Sequence, residues 1–168
     1  YPLRRQRQMC IRDRAEQLNQ QLGARAEVRA LDLWEPQSLA DFCAGCTLVI
    51  NCAGPSYRIL DRVARAALAA GADYLDVGGD DPLHERLVGQ LPAGHRVLLS
   101  AGMLPGLSGL FPQLLAQSFQ RVDALRCYAG GLGCLSATAA EDFLLSLGNG
   151  FGQAPVSYTH LRAHETKA

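Results

Sequence analysis

Short apolar runs alternate with Ala- and Leu-rich amphipathic stretches through most of this chain. Ala15–Leu22 is rich in strong helix formers, and Gly23 follows as a stop. Glu27–Leu33 alternates well enough to predict a short strand. Pro36 suits a first helical turn, and Ser38–Cys43 continues that helix. Thr47–Ile50 is a compact apolar run of the kind found in parallel strands buried on both faces. Beyond it, Arg58–Ala70 predicts a helix closed by Gly71, Asp73–Val77 a strand, and Pro82–Gln90 a helix. Arg96–Ser100 and Asp123–Ala129 predict strands, and Gly109–Phe119 and Ala137–Leu147 helices.

Strand and helix alternate at a period of about 25 residues, the rhythm of βαβ units in a parallel sheet. The expected fold class is therefore α/β, a Rossmann-like parallel sheet with helices on both faces. In open parallel sheets, ligands bind at the carboxyl ends of the strands. Those ends are Asp32, Asn51–Pro55, Asp76–Asp80 and Ser100–Pro105, all rich in small or polar residues. Small residues there let the backbone approach a flat ligand. The opposite ends, near Gly23, Gly45, Gly71 and Gly94, read as plain helix-to-strand turns.

Composition narrows the function classes. The 168 residues are 48% hydrophobic and 19% charged, suited to a globular domain with a sizeable core. No apolar run reaches the roughly 18 residues of a membrane span, and no signal peptide is evident. The net charge is zero overall, but five arginines crowd residues 1–14. Residues 15–155 hold nine basic and fourteen acidic side chains, a net charge of −5. An acidic body argues against nucleic acid or an anionic membrane as the main partner.

Asn51, Ala53, Gly54 and Pro55 are the candidates for lining a cofactor cleft. Asp32 is a candidate for an adenine or ribose edge, and equally for a surface cap of the following helix. Asp76, Gly79 and Asp80 are candidates for orienting a substrate ammonium, though loop carboxylates are often simply solvated. The Asn51-Cys-Ala-Gly54 turn is similar to that of short-chain dehydrogenases, but their chemistry needs a Tyr with a Lys four residues on. The sole Lys is Lys167, which removes that option.

Cys43-x-x-Cys46 lacks the two further ligands of a zinc site, so no metal is expected and both residues read as structural thiols in a reducing, cytoplasmic compartment. His84 and His95 read as surface histidines, with His84 the alternative general acid. Gly131-Leu-Gly133 is too short to mark a phosphate loop. No residue stands out as catalytic acid or base.

Four segments together resemble the saccharopine dehydrogenase family: Leu48–Pro55, Ala64–Asp76, Ala101–Gly109 and Tyr128–Gly131. Their order and spacing match across residues 15–155. The resemblance implies a Rossmann domain binding NAD or NADP, followed by a second α/β substrate domain. It also implies hydride transfer at a carbon–nitrogen bond of a small amino-acid-type substrate, with a homodimer as the assembly. Family members open with a strand and a Gly-rich turn that holds the pyrophosphate at a helix N-terminus. No glycine precedes Gly23, so nothing before Ala15 supplies that turn.

The ends read differently. Gln8–Arg14 and Val156–Thr166 resemble translated sequencing-adapter sequence. The expected organisation is therefore an adapter-derived tail over 1–14, a partial dinucleotide-binding domain over 15–120, the start of a substrate or dimerisation domain over 121–155, and a second tail over 156–168. A fragment of this kind is expected to be inactive by itself, and its exposed sheet edges could limit solubility. The alternative is a non-catalytic nucleotide-binding or dimerisation module of the same fold.

Overall fold

A computed structural model of the chain describes residues 2–79, 81–103, 106–128 and 136–148. Helix α1 spans Pro2–Gln21 without a break at residue 14. Residues 3–21 contain neither Gly nor Pro, so nothing local interrupts the helix. It ends in a Schellman motif. Ala24 N–H donates to Asn19 O at 2.8 Å and Gly23 N–H to Gln20 O at 3.0 Å, with Gly23 at φ +77°.

Three parallel strands form the sheet: β1 Leu48–Asn51, β2 Asp73–Asp76 and β3 Val97–Leu98, in the order β1-β2-β3. Asn51 stands beside Asp76 in this register, and Ile50 beside Leu75. Helices α2 (Pro36–Cys43) and α4 (Arg62–Ala69) pack against each other, and α4 packs against β1 and β2. The core lies between them. It joins Leu39 and Cys43 of α2, Val63, Ala64, Ala67 and Leu68 of α4, and Val49 and Tyr74 of the sheet. Leu83 and Leu87 of α5 (Asp81–Leu87) extend it. On the other face of the sheet, Leu48, Ile50 and Leu98 are exposed. The parallel α/β architecture expected from the sequence is present, but among the described residues helices cover one face of the sheet and not the two expected.

Several expected elements differ. Residues 27–33 form no strand. Leu31 and Leu33 are instead held by packing against the core, and the segment turns at Asp32. The helix expected over 58–70 is two helices, α3 (Ser56–Ile59) and α4, divided where Leu60 takes φ +50°. Asp61 restarts the helix, its carbonyl accepting Arg65 N–H at 2.9 Å. The strand expected over 123–129 is absent from residues 123–128, all of which are exposed; alternation without a sheet to pair with makes no strand. Residue 129 lies outside the described residues. The strand expected over 96–100 shortens to β3. Helix α5 stops at Leu87, short of the expected Gln90, while α6 covers Leu107–Ala116 and α7 Ala137–Gly148.

Candidate functional site

The carboxyl ends of β1 and β2 are built around one buried carboxylate. Asp76 is 3% exposed and Asn51 5%. Adjacent strands bring them together: Asn51 Nδ2 donates to Asp76 Oδ2 at 2.9 Å. The Tyr74 hydroxyl donates to the same oxygen at 2.5 Å, and Gly78 N–H donates to Oδ1 at 2.9 Å. Asn51 Oδ1 in turn accepts Ala53 N–H at 3.1 Å. A buried charge is tolerable when donors surround it, and here three do so. Burial, and then the hydrogen bond to Asp76, push the Tyr74 phenol far above its ordinary range.

The neighbouring loops are knitted together by backbone hydrogen bonds. Val77 N–H donates to Asn51 O, Ala101 N–H to Asp76 O, and Ser100 N–H to Gly78 O, at 2.8–3.2 Å. Two glycines are required here. A Cβ at Gly79, where φ is +61°, would lie 3.0 Å from Asp76 Cβ. At Gly106 it would lie 2.2 Å from Gly102 O, with φ at +125°.

Above this platform lies a shallow cleft that is open to solvent. Asn51, Ser56, Tyr57, Asp76 and Gly79 supply its polar lining, and Ile59, Leu60, Pro82 and Leu83 its apolar wall. The break between α3 and α4 puts Leu60 on that wall. Helix α7 closes over the adjoining turn. Asp142 accepts the Ser56 hydroxyl on both oxygens, at 2.9 and 2.8 Å, and Tyr57 N–H at 3.2 Å. Arg58 pairs with Glu141. A Cβ on Gly54 would lie 3.0 Å from the Thr138 methyl, so Gly54 permits the close approach of α7.

The structure thus gathers Asn51, Asp76 and Gly79 at one cleft, with Ala53, Gly54 and Pro55 in the loop leaving β1. Both Asn51 and Asp76 spend their polar atoms on each other and on the backbone. Asp80 lies outside the described residues, as do Gly131-Leu-Gly133. Asp32 does not line the cleft; its Oδ1 accepts Trp34 N–H at 2.8 Å in a surface turn. Neither histidine lines the cleft: His84 is exposed on α5, and His95 lies 3.8 Å from Asp73. Among the described residues no three metal-ligating side chains come together, and no helix is long and apolar enough to cross a membrane.

Sequence reasoning did not find Ser56, Tyr57 or Asp142. Ser56 carried a usable signal, a hydroxyl directly after the Gly54-Pro55 turn. Asp142 carried none, since its partner lies 86 residues away.

Small residues at the carboxyl edge let a dinucleotide approach the backbone there. The residues before Gly23 offer no Gly-rich turn for its pyrophosphate.

Comparison with known proteins agrees with this geometry. A stretch of 56 residues is 38% identical to the "Probable mitochondrial saccharopine dehydrogenase-like oxidoreductase" of Arabidopsis thaliana, covering 33% of this chain and 12% of that protein. No solved structure matches the chain significantly. The profile of the saccharopine dehydrogenase NADP binding domain matches residues 6–90. That match covers half the chain, across α1, the sheet's first two strands and the cleft, and the chain belongs to this family of NADP-binding, oxidoreductase-type domains.

Proposed function

We propose that this chain is an internal part of an NAD(P)-dependent oxidoreductase, and that its cleft receives the nicotinamide end of the cofactor. The observation that carries the reading is the cleft's position at the carboxyl ends of two adjacent parallel strands, inside the family match. The cofactor supplies the hydride when bound. Residues of this chain position it: Ala53, Gly54 and Pro55 offer backbone to the ring, and Asn51 fixes that loop through Ala53 N–H.

The reaction is hydride transfer at a carbon–nitrogen bond of a small amino-acid-derived substrate. Asp76 and Gly79 are placed on the substrate side. Asp32 serves the adenosine side, outside the cleft. Residues 15–120 correspond to the dinucleotide-binding domain and 121–155 to the start of a substrate and dimerisation domain. The Arabidopsis relative supports the class of chemistry, and its 56-residue matched stretch is too short to carry a substrate.

A second reading has one observation in its favour. Asn51 and Asp76 are hydrogen-bonded to each other and to the backbone, so neither presents an uncommitted acid or base to the cleft. A nucleotide-binding module without chemistry of its own would look the same.

The test is a titration of the chain with NADPH, NADH and reduced nicotinamide mononucleotide, following nicotinamide fluorescence. With no Gly-rich turn before Gly23, the expected result is weak, saturable binding, with the mononucleotide within tenfold of NADPH. Absence of binding by all three at millimolar concentration would overturn the proposal.

A further inference from the structure

Cys43 and Cys46 are not absorbed by the function above. They occupy the first and last positions of the turn that ends α2. Ala44 takes φ −59° and ψ 127°, Gly45 takes φ +77°, and Cys46 N–H donates to Cys43 O at 3.1 Å. These values define a type II turn, which requires a residue like Gly45 at its third position and holds its end Cα atoms within about 7 Å. A disulfide needs Cα atoms about 4.4–6.8 Å apart. The Cys46 thiol already folds back toward the helix end, donating to Phe42 O at 3.7 Å.

Exposure separates the two sulfurs. Cys43 is fully buried in the core, one of the two largest fully buried side chains, with Tyr74 the other. Cys46 is half-buried at the rim. Burial also pushes the Cys43 thiol up, which keeps it protonated until a partner sulfur arrives. Cys46 packs against the same core from its rim, so the two thiols lie on the inner and outer sides of one turn.

We propose that Cys43 and Cys46 form a dithiol site that oxidises to an intramolecular disulfide by exchange with a low-molecular-weight disulfide such as oxidised glutathione. The Cys46 thiolate attacks one sulfur of the small disulfide, forming a mixed disulfide and releasing one thiolate. Cys43 then gives its proton to solvent and attacks the Cys46 sulfur. This closes the Cys43–Cys46 bond and releases the second small thiol. Two protein thiols are oxidised, and one small disulfide is reduced to two thiols.

The experiment equilibrates the folded chain in a glutathione redox buffer, traps free thiols by alkylation, and maps the cysteines by tandem mass spectrometry after trypsin. Cleavage at Arg29 and Arg58 leaves Cys43, Cys46 and Cys52 on one peptide, so fragmentation must locate the bond. The expected product is that peptide two hydrogens lighter, with both Cys43 and Cys46 protected and Cys52 alkylated, reversed by dithiothreitol. Cys43→Ser is expected to stop at the mixed disulfide on Cys46. Because Cys43 is a core residue, the wild-type map is the deciding readout. A stable mixed disulfide on Cys46 in the wild-type chain, a bond to Cys52, or both thiols still fully alkylated would overturn the proposal.

Discussion

The Tyr74 hydroxyl donates to Asp76 Oδ2 at 2.5 Å from two residues back on the same strand, where both side chains lie on the buried face of β2. That carboxylate also receives Asn51 Nδ2 from the adjacent strand and Gly78 N–H from the loop beyond. A buried donor left without its acceptor costs about 1–3 kcal/mol. Asp76→Ala strands two buried side chains and one amide, so the expected loss is about 3 kcal/mol or more in urea denaturation. A loss under about 1 kcal/mol would show that water replaces the carboxylate freely.

The same contact sets an alkaline limit. Burial first, and then Asp76, raise the Tyr74 phenol above its unfolded value of about 10. The neutral phenol is therefore favoured by the folded state. Its stabilisation is complete below pH about 10 and is lost as pH rises above that value, because the unfolded chain releases the proton first. In an ultraviolet titration, one tyrosine should stay un-ionised until the chain unfolds. In Tyr74→Phe that late-titrating group should be gone; its persistence would assign the signal to another tyrosine.

Arg62 lies over the ring of Trp34, 4.2 Å from the centroid, yet its buried Nε has no hydrogen-bond partner among the described residues. The ring contact contributes about 0.5–1 kcal/mol. A buried unpaired N–H costs about 1–3 kcal/mol, so the penalty is the larger effect. Arg62→Met keeps the apolar stem and removes the unpaired donor, and is expected to leave stability unchanged or slightly raised. Trp34 is the single tryptophan, so its emission reports the lost contact directly. Destabilisation beyond about 1 kcal/mol would reverse this ordering of effects.

Helix α7 has no buried residue, and Phe143, Leu144 and Leu147 are exposed. Its attachment to α3 relies on polar contacts: Asp142 with Ser56 and Tyr57, and Glu141 with Arg58. Asp142→Ala should speed hydrogen exchange over residues 54–60 and 137–148 while leaving the midpoint of global unfolding nearly unchanged. Unaltered exchange in both segments would mean that other contacts hold the helix.

The legible part of this fold was the part with local causes. Gly23 and Gly71 stopped their helices as expected, and the apolar run at Thr47–Ile50 yielded β1. Residues 27–33 and 123–128 carried strand-like alternation, but a strand also needs a neighbour, and alternation cannot specify one. The kink at Leu60 was invisible because Arg58–Ala70 has helical composition throughout. For the candidate site, the rule that ligands gather at carboxyl ends singles out Asn51, Asp76 and Gly79, which line one cleft. It could not foresee that Asn51 and Asp76 would satisfy each other, since that depends on strand register. The contact between Ser56 and Asp142 depends on long-range docking and left no mark in either segment.

The proposed function puts the nicotinamide end of the cofactor at the carboxyl edge of β1 and β2. The most direct measurement is an amide chemical-shift map of the chain on adding reduced nicotinamide mononucleotide. Ala53, Gly54, Gly78 and Gly79 are expected to move together and saturably, while Asp32 and the residues of α1 stay still. Saturable shifts confined to other regions, with these four amides unmoved, would contradict it.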